Sequence, residues 1–340
     1  MKAHFVLSKK KVIEQFSKLN NLGVKVSYSV KTNKEVGKIL EKETDCFFSV
    51  HNIKEGFVDA KRSWFFSQAW SIDDLKEIFE KGYRNFVVDN DKDLETLLTF
   101  IKEKNLKINL SLRMKFKENR IHTGKYFVYG MSSRRINKLI SEIKENSFIE
   151  KLGVHIHRKT QNTSEWTIKK ELEEVLEKES LERINFINLG GGYPVKYRNY
   201  MSEVQDYIFK RIKETSDWLN TMNIKTFVEP GRFIAAPPVN LVTEIIQIYD
   251  HNIILNCSLY NAQIDTLLEN IRLLEETELE EGGELYLIKG NTPTRDDIFR
   301  YRIRLPKKNV GDKIVFLNAG AYNFWSEFCD LEKIETKVVE

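Results

Sequence analysis

The chain has 340 residues, enough for one large α/β domain with a smaller companion and too many for a single small domain. Lys and Arg total 54 against 50 Asp and Glu, a formal net charge of +4, and the interspersed signs leave no basic stripe to serve as a nucleic-acid surface. Its 3 cysteines, Cys46, Cys257 and Cys329, stand far apart without CxxC or Cys/His spacing, which disfavours a disulfide scaffold or a structural zinc and suits the cytoplasm.

In chain order, the N-terminal run AHFVL is too short for a signal-peptide core, and no later run reaches the length of a membrane span. Short runs rich in Val, Ile, Phe and Tyr predict strands at 25–30 (KVSYSV), 45–50 (DCFFSV), 63–68 (SWFFSQ) and 85–89 (NFVVD). Four more follow at 108–113 (INLSLR), 152–157 (LGVHIH), 183–189 (RINFINL) and 224–230 (IKTFVEP). Between them apolar residues recur at helical spacing: Val36, Ile39 and Leu40; Leu75, Ile78 and Phe79; Leu94, Leu97, Leu98 and Ile101. Ile136, Leu139, Ile140 and Ile143 continue the pattern, then Leu172, Val175 and Leu176, and a long window from Ser202 to Met222. Strands alternating with crossover helices demand a parallel sheet, and eight such units predict a closed (β/α)8 TIM barrel, with an open doubly wound sheet as the alternative.

After Pro237-Pro238 the texture changes to short β-rich pieces, VNLVTEIIQIYD, NIILNCSLY, ELYLIKG and DKIVFLNAG, with one acidic helical window around ENIRLLEETELEEGG. The expected organisation is α/β: a barrel domain over 1–235 followed by a smaller, mostly β domain over 236–340.

Functional groups of such barrels gather at the C-terminal ends of the strands. Lys31 closes the first β-run, where a chain bound for the core normally avoids charge. Strand seven runs into Gly190-Gly191-Gly192, whose backbone lets N–H groups approach an anion, and strand eight ends in Glu229-Pro230-Gly231-Arg232. His155 and His157 share one face of strand six, and with no third ligand at suitable spacing a metal is not expected there. A lysine amine, an anion cradle, a carboxylate and an imidazole at one barrel rim suit a phosphorylated aldehyde cofactor held as a Schiff base.

The segment Ser27-Tyr28-Ser29-Val30-Lys31-Thr32-Asn33 resembles the cofactor-lysine segment YAVKAN of the fold type III pyridoxal phosphate enzymes. That group comprises the ornithine, diaminopimelate, arginine and carboxynorspermidine decarboxylases, with alanine racemase more distant. GVHIH at 153–157 is similar to the family's GLHCH, NLGGGYP at 188–194 to DIGGGFP, EPGRF at 229–233 to EPGRY, and GAY at 320–322 to a late GAY. The resemblance implies pyridoxal 5′-phosphate on Lys31, with His157 stacked on its ring and Thr160 near its phosphate. It further implies Gly190, Gly191, Gly192, Gly231 and Arg232 around the phosphate, Tyr322 closing over it, and Glu229 on the ring nitrogen. It implies a homodimer with shared active sites and a small-molecule amino acid substrate; neither nucleic acid nor a membrane is an expected partner. The N-terminus begins almost at the barrel, without the leader that gives other members a strand in the second domain, and this layout, with FSVHNIKEG at 48–56, is most similar to the carboxynorspermidine branch.

The departures bear on chemistry. The family's catalytic cysteine, in a GPxCxxxD motif, falls on Pro293 of Gly290-Asn291-Thr292-Pro293-Thr294-Arg295-Asp296-Asp297, and Pro293 has no proton to give. Asn261 and Thr294 occupy positions that bind the distal amine in ornithine decarboxylase. Losing those carboxylates argues against free ornithine and leaves Asp296 and Asp297 to meet an amine, or Arg295 a carboxylate. With Lys31, His157 and Asp297 as the catalytic candidates, the expected activity is removal of the α-carboxylate from an amino acid with an extended polar side chain. Racemisation and a catalytically silent regulatory homologue are the alternatives. Cys329 is read as a buried structural thiol.

Overall fold

A computed structural model of the chain describes residues 1–66, 68–116, 129–143, 145–200 and 203–340; Ser67 of the third predicted strand and Ser202 of the last helical window lie outside the described residues. The chain divides into two units, one of Phe16–Tyr193 with Glu203–Gly231, the other of Met1–Gln15, Pro194–Ser202 and Arg232–Glu340.

Strand β1 (His4–Ser8) belongs to the second of these units. In the first, β2 (Lys25–Ser29), β3 (Phe47–Val50), β4 (Ser63–Phe66), β5 (Asn85–Val88), β6 (Ile108–Arg113), β7 (Ile149–His155), β8 (Phe186–Asn188) and β9 (Lys225–Val228) close a barrel. Every neighbouring pair is parallel, and β2 pairs with β9 to complete the ring. The predicted helical windows form helices at Lys34–Glu43, Ile72–Glu80, Asp91–Lys104, Ser133–Ile143, Ile168–Val175 and Gln205–Asn220. Consecutive strands are joined by crossovers that carry these helices, except β3 to β4, whose crossover holds only the short 3-10 turns Ile53–Glu55 and Ala60–Arg62, and such crossovers make the sheet parallel.

Side chains on a strand alternate, so residues two apart share the barrel interior. Phe47, Trp64, Phe186 and Phe227 meet there as an aromatic layer, with Trp64 and Phe186 ring centres 4.8 Å apart and Phe227 5.9 Å from Trp64. Two residues further along the same strands come Ser49, Phe66, Asn188 and Glu229, and His155 holds that level on β7, two residues after Gly153. The chain thus builds an aromatic floor beneath a mostly polar layer, and the polar layer lies toward the C-terminal ends of the strands. Gly153 makes the floor possible, since a Cβ there would come within 2.3 Å of the Phe186 ring.

The second unit is a sheet. Its path runs β12 (Leu274–Glu275), β15 (Lys313–Leu317), β10 (Val239–Tyr249), β11 (Asn252–Leu255), β13 (Glu284–Lys289) and β14 (Ile298–Leu305). β1 pairs antiparallel with β10 and parallel with β16 (Glu335–Val339).

Three expectations are corrected here. The domain boundary at 235/236 is incomplete, because residues 1–15 and 194–202 go with the β unit. The N-terminal segment does give that unit a strand: Phe5 and Leu7 are buried and their neighbours are not, a two-residue period that AHFVL was too short to reveal. The acidic window around 269–283 is no helix. Ile271, Leu273 and Glu275 are buried and Arg272 and Leu274 are partly exposed, so alternation prevails over the helix-favouring Glu and Leu composition.

Gly153→Ala is expected to lower the free energy of unfolding by about 1–3 kcal/mol, since the new methyl group overpacks the floor. Urea titration checks this, and an unchanged midpoint would show that the Phe186 ring can yield.

Candidate functional site

Glu229 follows β9 by one residue, is only 5% exposed, and collects donors from three other strands. Ser49 Oγ donates to its Oε1 at 2.8 Å, Asn188 Nδ2 donates to the same oxygen at 3.0 Å, and His155 Nε2 lies 2.8 Å from Oε2. His157 Nδ1 is 3.8 Å from Oε2. Burial alone would raise this carboxyl, but His155 and His157 overcome it and hold Glu229 well below the ordinary carboxylate range. About four lone-pair positions serve a carboxylate, so room for one further donor remains.

Asn188 ties this carboxylate to the glycine triplet. Its Oδ1 accepts the Gly190 N–H at 2.9 Å while its Nδ2 serves Glu229. A Cβ on Gly191 would sit 2.6 Å from the Glu229 carbonyl oxygen, and one on Gly192, where φ is +97°, 2.6 Å from that of Lys159. The triplet therefore lies flat between the 229–231 turn and the loop after His157, which carries Thr160. Among the described residues, the N–H groups of Gly191, Gly192 and Gly231 donate to no acceptor. Beside Gly231, whose Cβ would meet Thr32 Oγ1 at 2.3 Å, that buried hydroxyl also lacks a partner. Unspent amides and a hydroxyl at one turn are the donor set an anion requires.

Lys31 sits in the short 3-10 turn Val30–Thr32 that ends β2, and the Ser29 N–H bonds the Pro230 carbonyl oxygen across to the β9 end. Its side chain is reached by water, yet burial among surrounding protein is the largest influence on the amine and lowers its pKa. Arg113 adds to that lowering, and Glu229 and Glu55 oppose it. His157 shows the same combination: its side chain is 40% exposed, and burial holds it down to about 4. Water access joined to strong desolvation marks side chains lining a deep recess rather than a convex surface.

Within the β unit, Arg232 opens the short helix Arg232–Ala235 and is buried against Asp265, with Nη1 2.5 Å from Oδ2 and Nη2 3.2 Å from Oδ1. Its guanidinium lies 5.1 Å from the Tyr322 ring centre, and Nη1 donates to the Tyr197 hydroxyl at 3.3 Å.

Several expected site residues take other roles. Asp297 is fully buried: its Oδ1 accepts the Leu259 N–H at 2.8 Å, and its Oδ2 accepts the Thr292 N–H at 3.1 Å and hydroxyl at 2.6 Å. It is a structural carboxylate. Asn261 caps a turn, accepting the Ser258 N–H at 3.0 Å and donating to the Glu332 carbonyl oxygen at 2.9 Å, so it too is spent. Thr294 bonds Thr292, whereas Arg295 and Asp296 stand exposed, paired at 3.5 Å. Cys329 is exposed rather than buried, and the buried thiols are Cys46 and Cys257. Glu229 supplies the third metal-capable group that sequence spacing hid, within 4.8 Å of both histidines, although its 2.8 Å bond to His155 already occupies those atoms. Sequence reading assigned no role to Ser49, Asn188, His51, Glu55 or Arg113. Strand ends carry most of them: Arg113 and Asn188 are the last residues of β6 and β8, Ser49 is the last but one of β3, and His51 follows β3 by one residue, whereas Glu55 ends the 3-10 turn Ile53–Glu55 beyond it.

Comparison with known proteins identifies the class. The family described as pyridoxal-dependent decarboxylase, pyridoxal binding domain, matches residues 9–236, and the chain belongs to it. A diaminopimelate decarboxylase of Bacillus methanolicus is 24% identical over 283 residues, 74% of this chain and 64% of the relative. A carboxynorspermidine/carboxyspermidine decarboxylase of Campylobacter jejuni is 26% identical over 152 residues, 40% of this chain and 38% of its own. The chain thus spans less than two thirds of the length of these relatives. The crystal structure of diaminopimelate decarboxylase from Helicobacter pylori complexed with L-lysine shares the fold, with a TM-score of 0.85 at 18% identity, covering 100% of this chain and 92% of that one.

Stability is expected to fall as pH drops from about 6.5 to about 4. Half-buried His157 and His51, lowered by desolvation to about 4 and about 3 from 6.5, stay neutral while the unfolded chain takes up protons there. Glu229, depressed in the folded state, adds to the loss below its unfolded value of 4.5. Urea unfolding across this range checks the slope, which should flatten in His157→Asn; a stability independent of pH would contradict it.

Proposed function

We propose that the chain is a pyridoxal phosphate-dependent decarboxylase that removes the α-carboxylate of an amino acid with an extended polar side chain. The observation that carries this reading is the desolvated Lys31 amine beside an ionised, buried Glu229 and a triplet with unspent amides. Lys31 would hold the cofactor through its aldehyde. Gly190, Gly191, Gly192 and Gly231 would receive its phosphate, with Thr160 near it and Arg232 and Tyr322 assigned there by resemblance. His157 would lie against its ring, and Glu229 would keep a proton on the ring nitrogen. When bound, pyridoxal phosphate draws electrons from the substrate's α-carbon so that the carboxylate leaves as CO2.

The chain's own groups do the rest. The protein packed around Lys31 lowers the pKa of its amine, and Glu229, locked by Ser49, Asn188 and His155, holds its charge without reorganising. The reading includes a cytoplasmic homodimer in which Thr294, Arg295 and Asp296 face the partner's site. With Asn261 and Asp297 committed to structure, Arg295 and Asp296 are the charged groups of that set free to meet the distal end of a substrate. Pro293 favours one second reading, a racemase, because that position supplies no proton to a decarboxylated carbon.

A panel of diamino acids and carboxylated polyamines incubated with loaded enzyme decides between them. Decarboxylation gives CO2 and a product lighter by its mass, whereas racemisation leaves the mass unchanged and alters only optical rotation. No change in either would contradict both and favour a silent homologue.

A further inference from the structure

His51 stands one residue past β3, within FSVHNIKEG but with no role that the resemblance assigns to it. Its ring stacks on Phe66 at 5.3 Å and 19°, its main-chain N–H donates to Glu55 Oε2 at 2.7 Å, and its Nδ1 lies 3.9 Å from that oxygen. Nδ1 is sealed from solvent and makes no hydrogen bond, so the 32% of the side chain that stays exposed belongs to the rest of the ring, including the edge that carries Nε2. The charged and titratable groups acting on the ring are Lys31, Glu229, His157 and Arg113, the set that lines the recess around the lysine. Glu55, whose carboxyl is raised chiefly by burial, faces Lys31 as well. Packing on Phe66 and the bond to Glu55 therefore fix the ring just past the C-terminal end of β3, and the Lys31 amine is among the charges that act on it.

Resting on the decarboxylase reading, we propose that His51 is the proton carrier of this site, in place of the cysteine absent at Pro293. Nε2 takes one proton from the substrate's α-ammonium as it enters and returns it to the α-carbon after CO2 has left. The step balances without an outside acid. The substrate enters as an ammonium carboxylate and leaves as a neutral amine and CO2. The pair of the broken C–C bond forms the new C–H bond, and the nitrogen's proton is the one that ends on carbon. A neutral imidazole is the right resting state for this role, and burial followed by the Lys31 charge keeps the ring neutral, down to about 3. When Lys31 loses its charge to the cofactor, that repulsion ends and the ring accepts a proton more readily.

Two measurements test this. In cofactor-free protein, nitrogen NMR of the His51 ring should show it neutral at about pH 5, with its titration moved upward in Lys31→Ala; an ordinary midpoint near 6.5 in both proteins would overturn the placement. In loaded enzyme, His51→Gln, matched to wild type in circular dichroism and Tm, should lose roughly a hundredfold or more in kcat with little change in KM. In D2O the wild type should place deuterium on one face of the product carbon, and His51→Gln should lose that preference. Undiminished kcat with the same single configuration overturns the proposal alone. A wild type that releases no CO2 overturns the decarboxylase reading and this proposal with it.

Discussion

The structure of the barrel mouth depends on one buried charge. A carboxylate taken out of water is strongly disfavoured unless donors replace its hydration, and Glu229 receives three close ones, from β3, β7 and β8. Those donors are spread around the ring of strands, so satisfying one carboxylate fixes the register of several neighbours at once. Ser27 extends the network by sharing a 2.8 Å hydrogen bond with Ser49, which reaches back to β2, the strand that leads to Lys31.

From that charge the rest of the recess follows. Asn188 passes the constraint to Gly190, and the flat triplet that results leaves amides unspent beside Thr32. The aromatic floor of Phe47, Trp64, Phe186 and Phe227 closes the barrel beneath the polar layer. An amine placed there feels desolvation and Arg113 on one side and the attraction of Glu229 and Glu55 on the other. The balance lowers its pKa, which favours a nucleophilic neutral amine.

Much of this was legible in the sequence because period-two and helical spacings are local. All eight barrel strands were placed, and the lysine, the triplet and Glu229 were found as strand ends. What the sequence hid is non-local. Whether β1 crosses to a strand more than two hundred residues away is not written in AHFVL, and the burial alternation at 271–275 is masked by residues that favour helix. Asp297 and Asn261 look like site residues by motif position, and only their partners, Leu259, Thr292, Ser258 and Glu332, reveal that they hold turns together. His51 was passed over for the opposite reason: it stood within FSVHNIKEG without an assigned role, and its meaning comes from its packing and the charges that act on it.

The central claim is that Lys31 is the amine that holds pyridoxal phosphate. The direct measurement is borohydride reduction of the loaded protein followed by peptide mapping, with Lys31→Ala alongside. The account predicts a single pyridoxyl group on Lys31 and none in the variant. A group fixed on another lysine, or the same labelling in Lys31→Ala, would contradict it.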